Sequence, residues 1–239
     1  MCLIEVCDIS KHYANGFISK IYTKAVDGVS FQIERGETLG LVGESGCGKT
    51  TLGRLLLRLI EPTSGSIIFD GIDLTKLNRS EMRKIRPRMQ IIFQDPESSL
   101  NPRIRIGESI AEPFRLGLQG KIGRGEIKDK VLELADVVGL NPEHVNRFPY
   151  QLSGGQNQRV VLARILAVNP EFIVADEPTA SLDVSVQAQI LRLMMDLKMK
   201  YKLTMLFISH DMDVIRHMSD RVAIMEKGRI LSIEKPKDL

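Results

Sequence analysis

The chain has 239 residues, of which 43% are hydrophobic and 26% charged, and its formal net charge is +3. This is the composition of a soluble globular protein of one large or two small domains, with no apolar run near the roughly 20 residues that cross a bilayer. The basic residues are interspersed with acids, which gives no case for a nucleic-acid partner, and three cysteines without metal-ligand pairing argue against a disulfide framework.

The N-terminus, Met1-Cys2-Leu3-Ile4-Glu5, carries an early acid and no basic, apolar leader, so it does not read as a secretory signal. Residues 3–9 read as a first strand. Residues 26–33 alternate in their second half and read as a second strand, closed by the turn Arg35-Gly36. Ser66-Ile67-Ile68-Phe69 before Asp70-Gly71 predicts a hairpin. Together these pieces predict a small antiparallel layer. The basic stretch 79–88, which includes Glu81, reads as a solvated helix face.

Four short apolar runs, at 39–43, 89–94, 172–177 and 205–210, end in polar residues or glycine and read as buried parallel strands with helices between them. The stretch 95–151 differs. It is rich in proline, glycine and charge, with helical runs at 106–114 and 128–138, and reads as an inserted helical lobe. The predicted fold is α/β: a single domain over 1–239, with 1–94 and 152–239 as core and β layer and 95–151 as a helical subdomain.

Ligands of such sheets bind at the carboxyl ends of the strands. Gln94, Asp176, Glu177, Ser209 and His210 close the runs and should converge there. The first run leads into Gly43-Glu44-Ser45-Gly46-Cys47-Gly48-Lys49-Thr50, a complete phosphate-binding loop, and then into a helical segment that starts with Thr51. Its glycines let backbone N–H groups turn toward a phosphate, Lys49 supplies a point charge to the β/γ oxygens, and Thr50 offers a hydroxyl to Mg²⁺. Cys47 is either a target for thiol reagents or a small spacer.

Asp176 and Glu177 end a buried strand, where neighbours point to opposite sides. Asp176 would hold Mg²⁺, directly or through water, and Glu177 would orient or deprotonate the attacking water. Leu152-Ser153-Gly154-Gly155-Gln156 precedes a helical run. Ser153 can cap that helix, and the two glycines allow a close approach to an anion.

The phosphate loop, Gln94, LSGGQ at 152–156, the acid pair, Ser181-Leu182-Asp183 and His210 stand in an order that resembles the nucleotide-binding subunits of ABC transporters. The resemblance covers nearly the whole chain and implies a P-loop ATPase core using ATP and Mg²⁺. It implies that Gln94 senses Mg²⁺ and the γ-phosphate and relays occupancy to the helical lobe, and that His210 contacts the γ-phosphate. Asp183 would lie in the loop that touches the opposite subunit. Tyr13 would stack on adenine, with Tyr22 as the alternative. Two ATPase subunits, identical or homologous, would pair head to tail, one supplying Lys49 and Glu177, the other Ser153, Gly154, Gly155 and Gln156.

The further partners implied are transmembrane permease subunits at the cytoplasmic face of the membrane and, indirectly, an extracytoplasmic solute-binding protein. Residues 94–102 and 181–188 are similar to the oligopeptide/dipeptide/nickel importer subgroup, with Asn157 departing from the Arg or Gln common after the signature. A soluble ATPase of the same family, acting on nucleic acid, ribosomes or enzyme assembly, is the competing expectation.

Overall fold

In the computed structural model, which describes residues 1–15, 21–120 and 122–238, the strands form two sheets. The first is antiparallel: β1 (Cys2–Asn15), β2 (Ile21–Glu34), β4 (Ser64–Phe69) and β5 (Ile72–Asp73), in the order β2-β1-β4-β5. The Asp70-Gly71 turn joins β4 to β5, with φ of 50° and 78°, as a tight hairpin of the predicted kind requires. Both long strands of this layer extend well beyond the segments expected from sequence.

The second sheet has six strands in the order β10-β9-β3-β8-β7-β6. Four are the apolar runs: β3 (Thr38–Val42), β6 (Met89–Ile92), β7 (Phe172–Asp176) and β8 (Thr204–Ile208), all parallel. β9 (Arg221–Glu226) adds parallel to β3, and β10 (Arg229–Glu234) returns antiparallel along β9. The sequence reading did not contain these two.

Each face of this sheet meets its own core, which is why its strands read as continuous apolar runs. Phe172 and Val174 of β7 join a cluster with the antiparallel layer and α1 (Lys49–Leu56). Ile173 and Ala175 join the opposite cluster, with α3 (Ile106–Arg115), α5 (Gly154–Leu166) and α6 (Val184–Tyr201). Among the described residues between β6 and α5 there is no sheet strand, only α3, α4 (Arg124–Val137) and short 3-10 turns.

The basic stretch is only partly a solvated helix face. α2 covers Arg79–Ile85. Beyond it, Arg86 donates to the carbonyls of Leu57 and Arg58. Arg88 is half-buried between Asp70 and Glu171, each of which also pairs with Arg35. This four-membered ring of charges ties the antiparallel layer to the edge of the parallel sheet. The desolvated carboxylates need cations there, and the chain supplies them from both sides.

Candidate functional site: a phosphate loop at level strand ends

Register brings the expected residues to one place. Leu41 of β3 lies opposite Ile208 of β8, and Ile208 lies opposite Asp176 of β7, so these strands end level. Ile92 of β6 pairs with Ala175 one residue earlier. Gly43, Gln94, Glu177, Ser209 and His210 therefore leave the same edge of the sheet.

Gly43–Gly48 link β3 to α1, which starts at Lys49. Gly48 is the helix N-cap with φ +112°, and a Cβ there would overlap the carbonyl oxygen of Ala25. Glycine is thus required twice over at this position. Lys49 is buried, with Nζ donating to the carbonyls of Gly43 (2.7 Å) and Glu44 (2.9 Å). Its charge is held inside the loop, where β- and γ-phosphate oxygens can compete for the same three protons. Glu44, Ser45 and Gly46 are exposed, Cys47 is buried beneath them, and Thr51 is half-buried in the first turn of α1.

Thr50 Oγ1 donates to Asp176 Oδ1 at 3.1 Å. Burial pushes the Asp176 carboxyl above its usual range; the Thr50 bond opposes the shift and the charge of Glu177 adds to it. A desolvated carboxylate beside a hydroxyl is a pair of hard oxygen ligands that a divalent cation would stabilise. Among the described residues no group of three or more His, Cys, Asp and Glu forms a complete metal site. Any cation here would need phosphate oxygens and water to fill its shell, so the donor set fits Mg²⁺ arriving with a nucleotide.

The acid pair differs from the expectation in one respect. The strand ends at Asp176, and Glu177 takes a left-handed conformation with φ 48°. Its orientation is set by that turn and not by strand alternation. The Glu177 N–H donates to the Ile208 carbonyl at 3.0 Å, which anchors the turn on β8. Its Oε2 lies 3.3 Å from His210 Nδ1, with the histidine largely exposed and the glutamate mostly covered. Gln94 is exposed just past β6, and its carbonyl accepts from Ser181 Oγ at 3.4 Å.

Ser153 caps α5 as predicted. Its Oγ accepts from the Gln156 N–H (3.3 Å), and Gln156 Oε1 accepts from the Ser153 N–H (3.0 Å). Gly155 also has a packing use that was not expected: a Cβ there would overlap Val186 Cγ1 of α6, so its missing side chain serves helix packing. Gly154 is looser, with Leu182 Cδ2 at 3.1 Å from a built Cβ. Asn157 is fully buried, and its Nδ2 donates to the Pro149 carbonyl at 3.1 Å. Asp183 stands at the N-cap of α6 and is exposed, without a side-chain cap bond. Among the described residues no hydrogen bond joins 153–156 to the phosphate loop. Tyr13 lies on β1, 40% exposed, with Lys11 Nζ 5.2 Å from its ring centre. Tyr22 falls outside the residues whose side chains are described.

The protein family described as ABC transporter matches residues 26–180. The chain belongs to that family. It is 49% identical over 237 residues to a putative peptide import ATP-binding protein of Brucella ovis, covering 99% of this chain and 73% of that one. It is 46% identical over 242 residues to the oligopeptide transport ATP-binding protein AppF of Bacillus subtilis (strain 168), with the same two coverages. Its fold matches a dimeric ATP-binding cassette in a post-hydrolysis state bound to ADP and Pi, with a TM-score of 0.87 and 31% identity, over 98% of this chain and 99% of that one.

This ABC-family chain also carries a groove of about 840 Å³, lined by side chains that include Met82 of α2, Phe93 just past β6, Leu116 just past α3 and Arg164 of α5. Sequence reasoning did not place this groove's residues or its arginine. No periodicity reports a concavity made by elements spread over residues 57–168. Among the described residues, no helix is long and apolar enough to cross a membrane.

Proposed function

We propose that the chain is the ATP-hydrolysing subunit of an importer of peptides, peripheral at the cytoplasmic face of a membrane, and one of two cassettes paired head to tail. The solute class rests on the names of its relatives. The pairing rests on one geometric observation: the phosphate loop, Asp176, Glu177 and His210 meet at level strand ends, while the capped Ser153 turn opens α5 elsewhere and, among the described residues, makes no hydrogen bond to that set.

In this reading Gly43, Glu44, Ser45, Gly46, Cys47, Gly48 and Thr51 frame the β-phosphate with backbone N–H groups, and Lys49 turns its Nζ from loop carbonyls to the β/γ oxygens. Tyr13 stacks on the adenine. Thr50, Asp176 and Gln94 would hold the Mg²⁺ that accompanies ATP, and the ion would offset charge on the transferred phosphoryl group. Glu177 accepts a proton from the water whose oxygen joins the γ-phosphorus, and the bond to the β–γ bridging oxygen breaks to leave ADP. His210, which lies beside the Glu177 carboxylate before nucleotide binds, donates a ring N–H to a γ-phosphate oxygen once ATP is in place.

Across the pair, Ser153, Gly154, Gly155 and Gln156 close on the partner's γ-phosphate, and Asp183 lies at the seam. The helical segment 95–151 moves with Gln94, and the groove beside α3 receives the permease. A solute-binding protein acts only through that permease.

Two measurements test this. Specific ATPase activity of the isolated chain should rise with protein concentration; a constant value means a self-sufficient site or a preformed dimer, and a constant value from a chain that sediments as a monomer overturns the pairing. A pull-down from native membranes should return transmembrane permeases, and recovery of ribosomes or soluble enzymes in their place overturns the transport reading.

A further inference from the structure

Arg164, which no part of the nucleotide chemistry uses, stands in the last turn of α5 and forks between two segments. Nη1 donates to the Ser99 carbonyl at 3.0 Å, and Nη2 pairs with Glu112 Oε2 of α3 at 2.6 Å. Ser99 closes a compact turn that begins next to Gln94. Ser98 Oγ and Ser99 Oγ both donate to the Asp95 carbonyl (2.9 and 3.2 Å), the Glu97 N–H donates to Asp95 Oδ1 (3.0 Å), and the Leu100 N–H donates to the Glu97 carbonyl (3.2 Å). A turn so closed on itself moves as a unit, so a shift of Gln94 carries the Ser99 carbonyl with it. At the other end of α5, about 16 Å away along the helix, is Ser153.

We propose that Arg164 is a positioning residue: through the Ser99 carbonyl it locks the turn after Gln94 to α5, and so sets where Ser153 stands when the γ-phosphate is bound. This rests on the head-to-tail reading above. An arginine is needed because its rigid planar fork serves a carbonyl and a carboxylate at once, which one ammonium point cannot do from the same position. The contact through Ser99 is the coupling element, and Glu112 orients the guanidinium.

The test compares Arg164→Gln, Arg164→Lys and Glu112→Gln in a Glu177→Gln background. Coupling between sites commonly changes affinity by about 5–150-fold. Arg164→Gln should weaken the ATP-dependent self-association constant, measured by sedimentation, by about 5-fold or more. ATP affinity of the dilute monomer should stay within about 2-fold, a split that simple loss of folding would not give. Arg164→Lys should recover part of the association, and Glu112→Gln most of it.

Independently of any pairing, ATP with Mg²⁺ should change amide exchange of residues 153–157 in the monomer, and Arg164→Gln should abolish that change. Association and exchange responses equal to the parent overturn the proposal. So does ATP affinity falling in step with association, or Glu112→Gln losing as much as Arg164→Gln. A parent that binds ATP without pairing overturns the head-to-tail reading, and the exchange experiment then decides the role of Arg164 alone.

Discussion

Replacing Ser153 by alanine in a Glu177→Gln background separates the cap that its hydroxyl makes from the phosphate contact proposed for it. As the N-cap of α5, Ser153 Oγ accepts from the Gln156 N–H. Losing that bond costs about 1 kcal/mol of folding stability, or about 2–4 °C in Tm for a chain of this size. As a phosphate ligand the same hydroxyl is one of three donors that the turn can present, the others being the N–H groups of Gly154 and Gly155, which no helix satisfies internally in its first turn. Charge-assisted hydrogen bonds contribute about 1.5–3 kcal/mol each, so one turn supplies about 4.5–9 kcal/mol. Reversing a 1:99 equilibrium needs about 5.5 kcal/mol. The proposed closed pair would use two such turns, and the alanine removes one donor from each. The expected loss is about 3–6 kcal/mol, a dimer about 10²–10⁴-fold weaker. Sedimentation with ATP and Mg²⁺ reads the dimer, and a thermal melt without nucleotide reads the cap. A variant that binds ATP and pairs as tightly as its parent would refute the assignment of this turn to a phosphate.

Lys49→Ala should weaken nucleotide binding by at least about 100-fold in calorimetry, since the buried Nζ is the one side-chain cation of the loop; unchanged affinity would remove the phosphate-loop assignment. Asp176→Asn should abolish hydrolysis yet raise the Tm of the nucleotide-free protein, because burial disfavours the charged form, and a raised carboxyl costs stability once pH exceeds its folded value; a lower Tm would mean that the charge is compensated. Arg88, ahead of the opposing effect of burial, holds the Asp70 and Glu171 carboxyls below their usual range. Their contribution is therefore complete above the unfolded carboxylate values of about 4 and is lost as pH falls from there. Arg88→Met should flatten that acid limb in urea titrations from pH 5 to 3, and an unchanged limb would put the acid sensitivity elsewhere.

What the sequence made legible was local. The phosphate loop reads directly because its glycine spacing, the preceding β3 and the following α1 lie within 20 residues. The convergence of Gln94, Asp176, Glu177 and His210 follows from apolar runs ending in polar residues, since parallel strands buried on both faces leave only their ends for chemistry. Glu177 was assigned to strand alternation that stops one residue earlier, and its φ of 48° carries no sequence signal of the kind a glycine gives. The strands β9 and β10 did announce themselves weakly. Lys227-Gly228, with φ of 45° and 83°, is a tight turn between two β-prone runs. The packing use of Gly155 was illegible, because Val186 lies on another helix.

The two unread strands bear on how the site works. A Cβ on Gly43 would overlap the Met225 carbonyl of β9, one on Gly48 would overlap the Ala25 carbonyl of β2, and the Gly228 N–H donates to the Cys47 carbonyl at 2.9 Å. The phosphate loop is therefore shaped from outside, by the β9–β10 turn and the antiparallel layer, before any nucleotide arrives. The signature turn is clamped in the same way by α6 through Gly155. The segment that follows Gln94 is held more lightly: among the described residues, the hydrogen bonds that tie 94–100 to other elements are Ser181 on the Gln94 carbonyl and Arg164 on the Ser99 carbonyl. Hydrogen bonds that few, one exposed and one partly buried, have low cost to break and re-form, which is what the proposed cycle asks of them if hydrolysis is to reopen what binding closed.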